Sequence, residues 1–451
     1  MLRIDAGACS PNCAGTSRRH FIELGVAGMA SLGLPELIRA KAAAAEAGNR
    51  VRDTRVILIF LGGGPSHMDL WDMKPQAPAE YRGFWRPIAT NVPGMQITER
   101  FPRQAKVADK FSIIRSLAHN DGDHHGGFHL MTTGRPGASG ADPSPKYPSI
   151  GSIVAKVTGP RRAGVLPYVF VPKTHADIVD FFRANYLGRH YDPFVIDDDA
   201  NSKDFQVHNL TLPPGLTIER LEDRRTLLRS LDTLRRDVDS NRQLDTMDHF
   251  HRKAHELVTG VEVRRAFDLS REGDKLRDRY GRNNWGQSTL LARRLAEAGV
   301  TFTTVYFGDW DQHWNLKETY EKYLPRVDAA IATLFEDLSS RGLLEKVCVV
   351  VCGEFSRTPR MNDGLGSGTP GRDHWGRAIS VVMGGGGLKG GIVVGATDAK
   401  GEEPVERRLH PTDLHATLYH VLGIDSSVHF LNHAGRPVPA IDRGEPIREL
   451  L

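Results

Sequence analysis

Six consecutive apolar residues, Val56-Ile57-Leu58-Ile59-Phe60-Leu61, run without a polar break into Gly62-Gly63-Gly64, and no other feature limits the possible folds as much. A strand with one wet face alternates apolar and polar residues, whereas an unbroken run is buried on both faces, as in a parallel sheet covered by helices. Comparable runs recur at residues 111–114, 168–171, 301–307, 347–352 and 378–383. Helical periodicity lies between several of them, for example at residues 288–298 and 327–338. This alternation predicts an α/β fold with a doubly wound, mostly parallel sheet, whose ligands gather beyond the carboxyl ends of the strands.

The 451 residues, 40% of them hydrophobic, suffice for a large core. A net charge of only +4, with both signs mixed along the chain, argues against a nucleic-acid partner. Cys348 and Cys352 sit four apart in one predicted strand, where a rise of about 3.3 Å per residue separates their Cα atoms by about 13 Å, too far for a disulfide.

Ser17-Arg18-Arg19-His20-Phe21 precedes a weakly apolar, glycine-containing run at residues 22–37 and an alanine stretch at 42–45. That order predicts a twin-arginine export signal over residues 1–45, with Cys9 and Cys13 removed along with it. The expected mature chain is 46–451, periplasmic or secreted, with the twin-arginine translocation machinery as a partner. Nothing later offers the roughly 20 continuous apolar residues of a membrane span, so no transmembrane anchor is expected in the mature chain. Dense charge and helical spacing of Leu227, Leu231, Leu234 and Val238 predict a charged helical insertion at about 203–281.

Three segments carry metal-binding residue types just past predicted strands. They are Gly308-Asp309-Trp310-Asp311-Gln312-His313, Gly353-Glu354-Phe355-Ser356-Arg357-Thr358-Pro359 and Gly371-Arg372-Asp373-His374-Trp375. Carboxylate oxygen with imidazole nitrogen suits zinc or manganese, and loops at one sheet edge can converge on one ion. Asp69 and Asp72 follow the first strand and are further candidates. Ser66 lies in Gly64-Pro65-Ser66-His67-Met68, which lacks the second glycine of a nucleophile elbow, so a serine hydrolase is not expected. His119, His124, His125 and His129, with Asp121 or Asp123 as a helix cap, can supply ligands, a general acid or a nucleophile.

Gly63-Gly64-Pro65-Ser66-His67, Gly286-Gln287-Ser288, Glu354 to Pro359, Gly371 to Trp375 and Gly395-Ala396-Thr397-Asp398 occur in order and resemble an exported bacterial family. It is the sulfatase-like domain of unknown function fifteen-oh-one, grouped with the alkaline phosphatase and sulfatase superfamily. The resemblance implies an alkaline-phosphatase-like sheet with a metal site at its carboxyl edge. Asp309, His313 and His374 match that superfamily's ligands for one ion. Glu354 stands where a second ion's aspartate is usual and Phe355 where its histidine neighbour is. Leu130 to Arg135 is similar to the end of the sulfatase signature, and counting back puts His124 at the position of the cysteine that becomes formylglycine. Gly62 replaces the usual aspartate closing the first strand, leaving Asp69 as a candidate from further along.

The implied protein is an exported hydrolase of sulfate or phosphate esters using a divalent ion: zinc, manganese or calcium. Asp309, His313, His374, Glu354 and Asp69 are its expected ligands, His124 its nucleophile or base, and Arg135 and Arg357 its anion clamps. The expected substrate is a small-molecule or polysaccharide ester. The alternative is a catalytically degenerate member of the same fold that acts as a glycan-binding or assembly protein.

Overall fold

The computed structural model describes residues 52–162, 164–172, 174–207 and 261–451. The residues read as an export signal and most of the predicted charged insertion lie outside these residues. Of the insertion, the short helices Val261–Phe267 and Asp274–Tyr280 are described.

Eight strands form one sheet: β1 (Arg55–Leu61), β2 (Ser112–Leu117), β3 (Tyr168–Val171), β4 (Phe194–Val195), β5 (Phe302–Phe307), β6 (Val347–Cys352), β7 (Ile379–Gly384) and β8 (Val393–Val394). Their spatial order is β8-β2-β7-β6-β1-β5-β3-β4. All six apolar runs read from the sequence are strands. Strand β1 lies centrally and pairs in parallel with β5 and β6, and β3 pairs in parallel with both β5 and β4. Strand β7 runs antiparallel to both β6 and β2.

The double burial read from β1 has a direct counterpart. Ile57, Ile59 and Leu61 belong to one apolar cluster, with residues from α3 (Asn284–Ala298) and α4 (Leu316–Ser340). Val56, Leu58 and Phe60 belong to a second cluster, with residues from α1 (His124–Thr133), α2 (Ile150–Thr158) and α5 (Pro411–Leu422). Successive strand residues point to opposite faces, so one hydrophobic run fills two cores. Helix α4 begins well before the periodicity at 327–338 and continues through Pro325. Leu316, Tyr320 and Leu324 are fully buried on the near side of that proline, and their packing outweighs its missing N–H.

Cys348 and Cys352 are buried free thiols within β6, as their spacing required. None of the described helices is long and apolar enough to cross a membrane.

Candidate metal centre

The strand directions bring five loops to one edge of the sheet. Strands β1, β5 and β6 are parallel, so Gly62, Gly308 and Gly353 leave them on the same side. Strand β2 runs the same way as β6, both being antiparallel to β7, so the segment from Ala118 into α1 starts there too. Because β7 is reversed, it is the loop before it, carrying Asp373 and His374, that reaches this edge.

Close backbone approach sets the floor. Gly63 has φ +113°, and a Cβ there would meet the backbone nitrogens of Trp310 and Asp311 at 2.7 Å. The Trp310 N–H donates to the Gly62 carbonyl at 3.1 Å. Phe355, fully buried, packs beneath His124 and His374 with ring centroids 4.9 and 4.6 Å away.

On this floor three imidazoles surround one carboxylate. Asp311 Oδ1 lies 3.0 Å from His313 Nε2 and 3.1 Å from His374 Nε2. Those two nitrogens are themselves 3.1 Å apart. The other oxygen, Oδ2, is 3.2 Å from His124 Nε2. Each ring is held from behind through Nδ1: His313 by Asp373 Oδ1 at 2.7 Å, His374 by the Gly122 carbonyl at 2.7 Å, and His124 by Glu354 Oε1 at 2.8 Å. The Nδ1–H donates to the oxygen behind it, so in the neutral tautomer Nε2 is free to act as a ligand, and without an ion an added proton on Nε2 pairs with Asp311 instead, as the raised pKa of His124 reflects. Nitrogen lone pairs and a carboxylate aimed at one place call for positive charge, which an ion, protonated rings or the Arg357 guanidinium beside Asp311 and His313 Nε2 can supply. Carboxylate or carbonyl support behind each ring is the usual outer arrangement of a metal site.

Bonds of 2.0–2.1 Å to a tetrahedral zinc imply ligand separations of about 3.3 Å, close to the triangle formed by Asp311, His313 and His374. His124, Asp311 and His374 likewise offer ligand atoms within 4.8 Å of one another. The triangle of Asp311, His313 and His374 has the more nearly equal sides, and His124 lies beside it. Glu354 Oε2 is buried without a hydrogen-bond partner, a further acceptor suited to a cation.

The electrostatics favour positive charge here. Burial alone would lower the His124 pKa, but hydrogen bonds and charge from Asp311 and Glu354 prevail and raise it to about 9. For Asp311, burial opposes ionisation, yet hydrogen bonds from His124 and His374 and the Arg357 guanidinium hold its carboxyl well below the usual range. The Asp311 side chain is 46% exposed, so the centre opens to solvent.

Some expected residues meet here and others do not. His124, His313, His374 and Glu354 converge, with Glu354 bonding the Gly63 N–H and His124. Asp309 is exposed, adopts φ +69° and makes no hydrogen bond to these histidines; Asp311, two residues on, is the carboxylate that meets them. Asp69 is buried in an ion pair with Arg372 Nε at 2.9 Å and accepts from Ser66 Oγ at 2.6 Å, both through Oδ2, and it makes no hydrogen bond to these histidines. Arg357 is fully buried and donates to the carbonyls of Gly63, Gly64 and Arg372 and to Asp311. It positions Asp311, and has no free N–H fork for a substrate anion. Arg135 is tied to Asp442 and to the Pro439 carbonyl and stacks on Tyr147, so its donors are engaged elsewhere too. His129 likewise bonds the Arg135 carbonyl. Of the two possible caps of α1, Asp123 is the one, accepting from the N–H groups of His125 and Gly126.

Asp311 and Asp373 were visible only as members of their segments, and the Gly122 carbonyl left no trace in the sequence. Together these features define a mixed α/β protein with an imidazole–carboxylate cluster, able to hold a cation, at the carboxyl edge of its sheet. The chain belongs to the family described as "Protein of unknown function (DUF1501)", which matches residues 53–451. No curated protein matches it.

Among solved structures, the chain is similar to the PsFucS1 sulfatase from Pseudoalteromonas sp., at 13% identity and a TM-score of 0.36, over 86% of this chain and 70% of that one. An alkaline phosphatase superfamily protein from Vibrio parahaemolyticus is 10% identical with a TM-score of 0.37, over 82% and 67% of the two chains. The lipoteichoic acid synthase LtaP from Listeria monocytogenes is 8% identical with a TM-score of 0.38, over 84% and 74%. At such scores these likenesses carry no assignment of activity.

Proposed function

We propose that this chain is an exported, metal-dependent hydrolase of sulfate or phosphate esters, with one divalent ion held by Asp311, His313 and His374. The observation that carries the reading is the set of three imidazoles, each held at Nδ1 by an oxygen and each turning Nε2 toward one carboxylate. Three protein ligands with a fourth position open to solvent is the pattern of a catalytic site rather than a closed structural one. When bound, the ion supplies Lewis acidity toward an ester oxygen or a bound water. Asp373, Gly122 and Glu354 fix the tautomers, Arg357 fixes Asp311, and His124 holds or passes a proton at Nε2 beside the open position. The likeness of Leu130 to Arg135 to the sulfatase signature supports an oxyanion ester as the bond broken. Export by the twin-arginine route, with its machinery as partner, and a periplasmic or secreted location belong to the same proposal and rest on residues 17–45.

The second reading, a glycan-binding or assembly protein that no longer hydrolyses, is favoured by the engagement of Arg135 and Arg357 away from any substrate anion. One experiment separates the two. Purified residues 46–451 are loaded with zinc, manganese or calcium, assayed on 4-nitrophenyl sulfate and 4-nitrophenyl phosphate, and compared with Asp311→Asn for metal content by mass spectrometry. Turnover lost together with the ion in Asp311→Asn supports the hydrolase. Bound ion without turnover supports the second reading, and equal metal content in both chains overturns the centre itself.

A further inference from the structure

A cavity of about 550 Å³ opens beside the loop after β1, between Met68 and Pro87, within the size range of small-molecule sites. Its floor is apolar. Met68 and Trp85 are almost fully buried, Met73 and Phe84 are partly exposed, and Trp85 stacks on Tyr320 with an interplanar angle of 9° and centroids 5.9 Å apart. Three cations line it: Lys74, Arg82 and Arg86.

The charges do not cancel. Lys74 is paired with the buried Asp72 at 3.1 Å. Asp69, behind Gly83, is neutralised by Arg372 at 2.9 Å. Arg82 and Arg86 are exposed, and among the described residues neither guanidinium has a hydrogen-bond or ion-pair partner. Glu99 meets Arg86 through its backbone N–H at 3.2 Å, not through its guanidinium. Two free guanidinium forks on a cavity walled by the partly exposed Met73 and Phe84 match a ligand with a C–H face and a doubly oxygenated anion. A sulfated or phosphorylated sugar has both.

The cavity is also tied to the metal centre. Arg372 Nη2 donates to the Tyr81 carbonyl, one residue before Arg82, at 3.0 Å, and the next residue, Asp373, holds His313. Cavity wall and ligand loop therefore share a buried strut.

We propose that this cavity is an anion subsite for an acidic oligosaccharide, so that the ester substrate is a sulfated or phosphorylated glycan gripped away from the bond that is cleaved. The subsite stands on its own geometry; only its link to cleavage rests on the hydrolase reading.

The test is calorimetric titration of the metal-loaded chain with a sulfated galactan tetrasaccharide, its desulfated counterpart and a phosphomannan tetrasaccharide. At least one charged probe should bind, the neutral one at least tenfold more weakly, and the Arg82→Ala/Arg86→Ala double variant should lose tenfold or more on the charged probe. Whether the sulfated or the phosphorylated arm binds tells which ester the subsite takes. Arg443→Ala, which removes an exposed arginine outside the cavity, should bind as the parent does, and because the readout is binding rather than turnover, failure of the metal centre stays separate from failure of the subsite. Equal binding of charged and neutral probes, no binding of any probe, an unaffected double variant, or an equal loss in Arg443→Ala would each overturn the proposal.

Discussion

His313 and His374 point their Nε2 atoms at each other across 3.1 Å, although each ring is pinned by an oxygen at its opposite nitrogen. Between them lie Asp311 Oδ1 and, on the His313 side, the Arg357 guanidinium, so the gap gathers the charge that a bound ion would share.

The first prediction separates two aspartates that sequence alone does not rank. Asp311→Asn should leave the purified protein nearly free of bound ion, whereas Asp309→Asn should retain it at the parent level. Metal analysis by mass spectrometry reads both, and the reverse pattern would move the centre to Asp309.

Asp373 acts one layer behind. It anchors His313 Nδ1 at 2.7 Å, and both Asn362 and His313 help hold its carboxyl below the usual range against the opposing effect of burial. Asp373→Asn should weaken the ion by about 10–100-fold while the fold stays intact, as removal of such supports commonly does. Competition with a chromogenic chelator measures this, and an unchanged affinity would mean His313 is not a ligand.

Gly63 tests the floor of the site. Its φ of +113° and the 2.7 Å distance from a built Cβ to the Trp310 and Asp311 nitrogens leave no room for a side chain. Gly63→Ala should cost about 1–3 kcal/mol in backbone strain, and more from the collision, together with ion affinity. Chemical denaturation followed alongside metal content would show both losses, and a variant as stable as the parent would refute the packing described.

The pair Asp69–Arg372 is fully buried on both sides. Arg372→Met leaves the carboxylate without a counter-charge and should destabilise the chain by about 3–5 kcal/mol. A loss below 1 kcal/mol in denaturant titration would show that the carboxylate finds relief elsewhere.

A pH effect follows from His415, which is buried against the Met131 carbonyl. Burial pushes its pKa down to about 4, although the carbonyl bond works the other way. Unfolded, the ring titrates near 6.5, so between these values the unfolded chain binds the extra proton. Stability should therefore fall as pH drops from 6.5 toward 4, by at most about 3 kcal/mol from this residue, and be unaffected by it above 6.5. His415→Gln should lose less stability than the parent between pH 7.5 and 5; equal losses would exclude the effect.

The strands were legible because a run such as 347–352 has only one economical home, inside a sheet covered on both faces. The reversal of β7 was not, since pairing direction leaves no mark on an apolar run, and the two-residue β4 and β8 are too short to show a pattern. The three loops that meet at the sheet edge were legible as segments. Which aspartate meets the histidines depends on the left-handed turn at Asp309, which redirects the chain before Asp311, and residue type does not encode that. Arg135, Arg357 and Asp69 appeared available in the sequence because their partners, carbonyls and side chains far along the chain, emerge only when the loops are in place.

Strand β1 lies between β5 and β6, partners that begin some 250 and 290 residues later, and β7 closes the same edge later still. A nascent chain therefore cannot assemble the centre until most of its length has been synthesised. Any ion that the proposed centre takes up would be loaded by a nearly finished polypeptide, and no amino-terminal fragment should hold one.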